Sequence, residues 1–162
     1  MGDHRYADVA RTTLPDNFLL AIGKVCAQWS YLEMVVDLAL KKFAGVPDDD
    51  ARGMIFTVHM SWPQKMDVLR ALIDALNHDD YPWLKRFGEV APLLKRAQDG
   101  RNRYVHARWG HTNSGEPLLL RATARGELKL RMDTVSAGDI EQVGEDIGRA
   151  AASLLKLVVN RM

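Results

Sequence analysis

Between Arg101 and Trp109 the chain reads Arg-Asn-Arg-Tyr-Val-His-Ala-Arg-Trp. Within the first six of these positions stand an arginine, an amide and a histidine, Arg101, Asn102 and His106, and each brings a different capacity. His106 is of the one side-chain type that gives or takes a proton near neutral pH, with an ordinary pKa of ~6.5. Arg101 offers a planar fork of donors that matches the oxygens of a phosphate. Asn102 lies four residues before His106, so on a helix the two share a face. Arg101 lies about 140° around the same cylinder from His106, so its arm must wrap back or serve a second chain. These are the groups that metal-free cleavage of a ribose phosphodiester requires. A base takes the 2′-hydroxyl proton, an acid protonates the leaving 5′-oxygen, and a cation stabilises the charge on phosphorus. One histidine cannot easily do both proton transfers, but two histidines across a two-fold axis can.

Other chemistries find little support. The chain has no Walker-type glycine loop, dinucleotide fingerprint, zinc-type cysteine pair or metalloprotease His-Glu pattern. His106 and His111 are five apart without a nearby aspartate, and Asp48, Asp49 and Asp50 are better read as acid at a helix start, so no metal and no cofactor is expected. The tryptophans and tyrosines read as core residues. The net charge is only +1, but the segment from Arg101 to Arg131 holds seven basic residues against Glu116 and Glu127, a local +5 in a chain whose remainder carries −4. Such a stretch attracts phosphates or is simply a solvated surface.

The 162 residues fit one domain, with 1–12 expected as a flexible N-terminal segment and 13–162 as the folded unit. Cys26, the only cysteine, sits in an apolar helical pattern and reads as an inert core thiol of a reducing compartment. No secretory signal and no continuous apolar run of ~18 residues is evident, so the expectation is a cytoplasmic protein without membrane contact.

The elements that must position the motif follow from periodicity. Phe18, Ile22, Val25, Trp29, Leu32, Val36, Leu40 and Phe43 recur at steps of three and four and predict a long first helix, started near Thr13 and ended at Gly45 to Pro47. A short second helix follows the aspartates, with Ala51, Met54, Ile55 and Val58 as its apolar side. Ser61 caps a third, whose stripe is Met66, Leu69, Leu72, Ile73 and Leu76. Asn77 to Pro82 is a turn. A fourth helical stretch spans Trp83 to Arg108, where Pro92 predicts a kink or restart and Asp99-Gly100 is a turn signal against continuity. Alternation from Leu118 to Thr123 and from Leu128 to Met132 predicts a hairpin turning at Ala124 to Gly126. In the expected register Leu120, Leu128, Leu130 and Met132 pack on the bundle, while Arg121, Lys129 and Arg131 project to solvent. Tyr104 to His111 is a candidate lead into a third, short strand. The last helix runs from Ala137 to Asn160, capped by Ser136, with small residues Gly144, Gly148 and Ala152 on one line. The fold class is therefore an all-α bundle of about five helices with a small β-hairpin before the last one.

Arg101-Asn102-x-x-x-His106 resembles the Arg-x4-His motif of the HEPN superfamily of helical domains. Trp29-x-x-x-Glu33 on the first helix, Lys65 opening the third, and the hairpin before the last helix are also similar to uncharacterised bacterial HEPN-like proteins. The resemblance covers most of the chain loosely, and its specific part is the Arg-Asn-x-x-x-His segment. It implies a metal-independent endoribonuclease of single-stranded RNA, as found in toxin–antitoxin pairs, phage defence and RNA processing. It implies a homodimer with one shared cleft, with an antitoxin protein as a further partner. It assigns catalysis to Arg101 and His106, with Asn102 as the polar neighbour, and argues that the fourth helix continues through Gly100. In adenylylated toxins a tyrosine stands two residues after the histidine; here that position is Arg108, so this regulation is not implied. On this reading Arg103, Arg108, Arg121, Lys129 and Arg131 hold the RNA backbone. Two other readings stay open: a non-catalytic HEPN-like module that binds a nucleotide, RNA or a protein, and a structural role in which Arg101 pairs with Glu33 and His106 caps its helix.

Overall fold

The computed structural model describes residues 14–47, 49–76 and 81–159, without the side chains of 123–125 and 127–129. Helix α1 (Asp16–Phe43) is the central element, packed against α3 (Trp62–Leu76), α4 (Phe87–Val105) and α5 (Ala137–Val159). It starts at Asp16, where Pro15 ends the extended lead-in and its carbonyl accepts from Phe18 and Leu19 N–H. The expected cap, Thr13, lies outside the described residues. Every member of the expected stripe is buried except Ile22, which is partly covered. The helix ends where Gly45 takes φ +72°, a conformation costly for a residue with a Cβ. By length and composition α1 could cross a membrane, yet here ten of its residues lie in the core of the bundle.

Helix α2 (Arg52–Val58) departs from expectation. Met54, Ile55, Phe56 and Val58 are all exposed, and its buried residues are Gly53 and Thr57. The reason is proximity: a Cβ on Gly53 would stand 2.8 Å from Lys41 Cε and 2.9 Å from Val46 Cγ1, so α2 lies with its smallest face against the end of α1. Asp50 holds the helix start, accepting from Arg52 N–H and its guanidinium. Ser61 stands at the start of α3 as expected, its N–H and hydroxyl both donating to Gln64 Oε1, the half of a capping box in which the third helical residue reaches back. Cys26, expected in the core, is exposed, because it lies one position past buried Val25 and so about 100° away from it.

A 3-10 turn (Pro82–Arg86) leads into α4, which runs unbroken through Pro92 and Gly100. Gly100 is a point of close approach rather than a turn. A Cβ there would meet Val143 Cγ1 at 2.8 Å and Cγ2 at 3.1 Å on α5. Likewise Gly144 and Gly148 face Val25 and Gln28 of α1, so those two members of the small-residue line serve packing within the chain.

The expected hairpin is two strands of a three-stranded antiparallel sheet: β1 (Arg108–His111), β2 (Pro117–Arg125) and β3 (Glu127–Thr134), in that order. Gly126 turns β2 into β3 at φ +79°. The facing of the sheet is the reverse of the expected one. Leu119 is fully buried, whereas Leu130 is 60% and Met132 55% exposed. Leu119 pairs with Trp109 and with Asp133, and Arg121 pairs with Arg131, so Arg121 and Arg131 share the side of Leu119 while Leu120, Leu130 and Met132 lie on the outward side. Two anchors select this side. Trp109 meets Phe18 edge-on at 6.1 Å and stacks on Tyr104 at 6.5 Å, and Leu119 beside it completes the seal.

Candidate functional site

The motif occupies the last turn of α4 and the step out of it. His106 is the C-cap residue, with φ −100° and ψ 13°. Because the helix stops there, the 140° separation no longer applies, and Arg101 wraps back. Its Nη1 donates to His106 Nε2 and, at 3.2 Å, to Asn102 Oδ1. An arginine can only donate, so in the neutral ring Nε2 is the acceptor and the proton sits on Nδ1. His106 and Asn102 are exposed and Arg101 is partly buried. Thus Arg101, Asn102 and His106 come together within one chain, on the surface.

Arg101 is held from below. Its guanidinium lies 5.4 Å from the centroid of the buried Trp29 ring, a cation–π arrangement. Trp29 in turn packs on Trp62 at 4.3 Å. Among the described residues Arg101 makes no ion pair with Glu33 (the structural alternative raised by the sequence); the ring of Trp29 takes that place. One turn further along α3, buried Lys65 puts Nζ 2.6 Å from Asp37 Oδ1. Burial without a partner would be costly for this ammonium, so the pair fixes α3 to α1 near the aromatic pair.

The residues expected to hold RNA fall into separate groups. Arg103 lies 5.3 Å over the Tyr104 ring, and its Nη2 is 3.6 Å from Asp133 Oδ2. Arg121 pairs with the same carboxylate. Asp133 therefore tempers two of the expected cations, while Arg131 stands beside Arg121 in the register. Arg108, paired with Leu120, points to the opposite, outward side of the sheet. The Lys129 side chain lies outside the described residues. Sequence reasoning missed Asp37 and set Trp62 aside as core; the available signal was the spacing Ser61-Trp62-x-x-Lys65 at the start of α3.

Among titratable groups near the site, burial raises the Tyr104 hydroxyl above its ordinary value, which keeps it neutral. No cluster of three or more metal-ligating side chains occurs among the described residues. No family model, no curated protein and no solved structure matches this chain.

Proposed function

We propose that this protein is a metal-independent endoribonuclease that cuts single-stranded RNA by 2′-hydroxyl attack. The observation that carries this reading is the exposed Arg101–His106 contact at the C-terminus of α4: a phosphate-binding fork beside a proton-accepting nitrogen. His106 Nε2 takes the proton of the 2′-hydroxyl. The O2′–phosphorus bond forms, the phosphorus–O5′ bond breaks, and O5′ receives a proton, leaving a 2′,3′-cyclic phosphate and a 5′-hydroxyl. Arg101 turns from His106 towards the phosphate oxygens as negative charge builds there. Asn102 orients either group. The second proton-transfer group is the His106 of a second copy, so the active form is a homodimer acting in the cytoplasm, as a toxin or phage-defence component with an antitoxin protein as a partner.

The test is cleavage of a labelled RNA by pure protein in EDTA. Cleavage should persist in EDTA and fall at least ~100-fold in His106→Ala. Undiminished cleavage by that variant would sink the assignment.

A second reading has its own support. Met54, Ile55 and Phe56 on α2, and Leu130 and Met132 on the sheet, are more than half exposed, which suits a non-catalytic module that binds a partner protein. RNA binding without any cleavage by wild-type protein would favour this alternative.

A further inference from the structure

Beside the Arg101–His106 pair, the contact between α3 and α4 opens into a groove of about 190 Å³. Trp62 and Met66 line it from α3, and Phe87, Leu94 and Gln98 from α4. Gln98 precedes Arg101 by three residues, about 4.5 Å of helix rise. The groove and the site are linked through the aromatic pair, since Trp62 packs on the Trp29 ring that carries the Arg101 guanidinium.

We propose that this groove receives the base of a nucleotide adjoining the scissile phosphate. The inference rests on the ribonuclease reading and adds a subsite to it. Three features point to a neutral, flat occupant. The volume lies below the ~300–1,000 Å³ of pockets that enclose drug-sized ligands, and suits one ring system. The walls are aromatic and apolar, which is what stacking on a base requires. The cations at the rim are already matched: Lys95 pairs with Asp99 and Arg70 with Asp67, leaving little net charge to draw a phosphate inward. The Gln98 amide in the lining can donate to and accept from a base edge. Trp62 itself keeps its indole N–H shielded and without a hydrogen-bond partner among the described residues. A duplex holds its bases stacked and out of reach, so the subsite also selects single-stranded RNA.

The experiment uses the full chain and oligonucleotides with one ribose at the cleavage position, intact or abasic at the flanking nucleotide on either side. Two variants address the groove separately: Trp62→Leu removes the stacking wall, and Ala91→Phe fills the space with Trp62 left in place. In Ala91→Phe, loss of base stacking should raise KM for the intact substrate about 5- to 150-fold while kcat changes little. Trp62→Leu should raise KM by a similar factor and also lower kcat, because Trp62 supports the Trp29 ring beneath Arg101. Wild type should lose the same factor on one abasic substrate, and the variants should lose nothing more on it. A parallel titration measures binding of the all-deoxy oligonucleotide to His106→Ala protein with and without Ala91→Phe. Wild-type KM values in both variants, with cleavage intact, would overturn the subsite and leave the ribonuclease reading standing. Groove-dependent binding without cleavage by any form would uphold the subsite and remove the ribonuclease reading. An Ala91→Phe protein with unaltered KM and an altered mass in light scattering would assign the groove to a protein chain and overturn the base.

Discussion

At the scale of single residues, the arrangement of Arg101 is the most informative feature. It makes three different contacts at once: the His106 nitrogen, the Asn102 carbonyl and the Trp29 ring. Only a planar, delocalised cation satisfies all three, because an ammonium has neither the fork nor the flat face. Arg101→Lys should therefore behave as a loss and not as a conservative change. We expect kcat/KM for RNA cleavage to fall ~10–100-fold, the scale of a lost charge-assisted hydrogen bond. Steady-state kinetics on the labelled RNA checks this, and a Lys variant as active as wild type would show that charge alone suffices.

At the scale of elements, two junctions set the geometry of the site. Helix α5 supports α4 from behind, and Gly100 allows the two axes to approach. Alanine would favour the helix by ~1 kcal/mol, but its methyl would fall on the stiff, β-branched Val143. Overpacking costs ~1–3 kcal/mol and should win. Gly100→Ala is therefore expected to lower the urea midpoint, and Val143→Ala to restore part of it, with a coupling of ~1 kcal/mol or more. Strictly additive effects would mean the two residues do not meet. The start of α5 is closed by Ser136 and Asp139, which exchange hydrogen bonds: Asp139 Oδ2 accepts from Ser136 N–H at 2.8 Å, and Ser136 Oγ accepts from Asp139 N–H at 3.2 Å. The backbone N–H of Ser136, then its hydroxyl, hold the Asp139 carboxyl below its ordinary value. A lowered folded-state value means that the contribution is fully present above the unfolded value of ~3.9 and fades as pH falls through the folded one. Asp139→Asn should thus flatten the acid limb of a stability–pH curve below about pH 4 and leave its alkaline limb alone. Urea melts across that range measure it, and parallel acid limbs would refute the cap's electrostatic role.

At the scale of the whole molecule, the question is how a chain with one histidine in its motif completes two proton transfers. If each cleft takes one His106 from each copy, wild type co-refolded with an equal amount of His106→Ala protein should show about one quarter of the activity of the same total wild type, because only wild-type homodimers are complete. Independent sites would retain about one half. The interface for such a dimer does not come from Gly144 and Gly148, which face α1 within the chain. Among the described residues the large apolar side chains that are more than half exposed lie on α1 (Leu19, Leu20 and Met34), on α2 and on the outer face of the sheet.

The sequence by itself determined the helices and their buried sides where the apolar stripe was long. Seven of the eight expected positions on α1 are buried, because a 3.6-residue repeat sustained over eight turns has one compact solution. The Ser61 and Ser136 caps were legible for the same local reason: a hydroxyl and a carboxyl or amide three residues on satisfy each other without help from elsewhere. The Arg101–Asn102–His106 set was legible as a group of residue types, but its contact was not. That contact depends on α4 ending at His106 and on Trp29 lying beneath Arg101. Tertiary structure alone decided which face of the sheet meets the bundle. Period two marks two faces without saying which is inward, and Trp109 and Leu119 outweighed the longer row of leucines. Tertiary structure also decided that Gly100 continues a helix, because a glycine that makes room for a neighbouring valine looks the same in sequence as one that makes a turn.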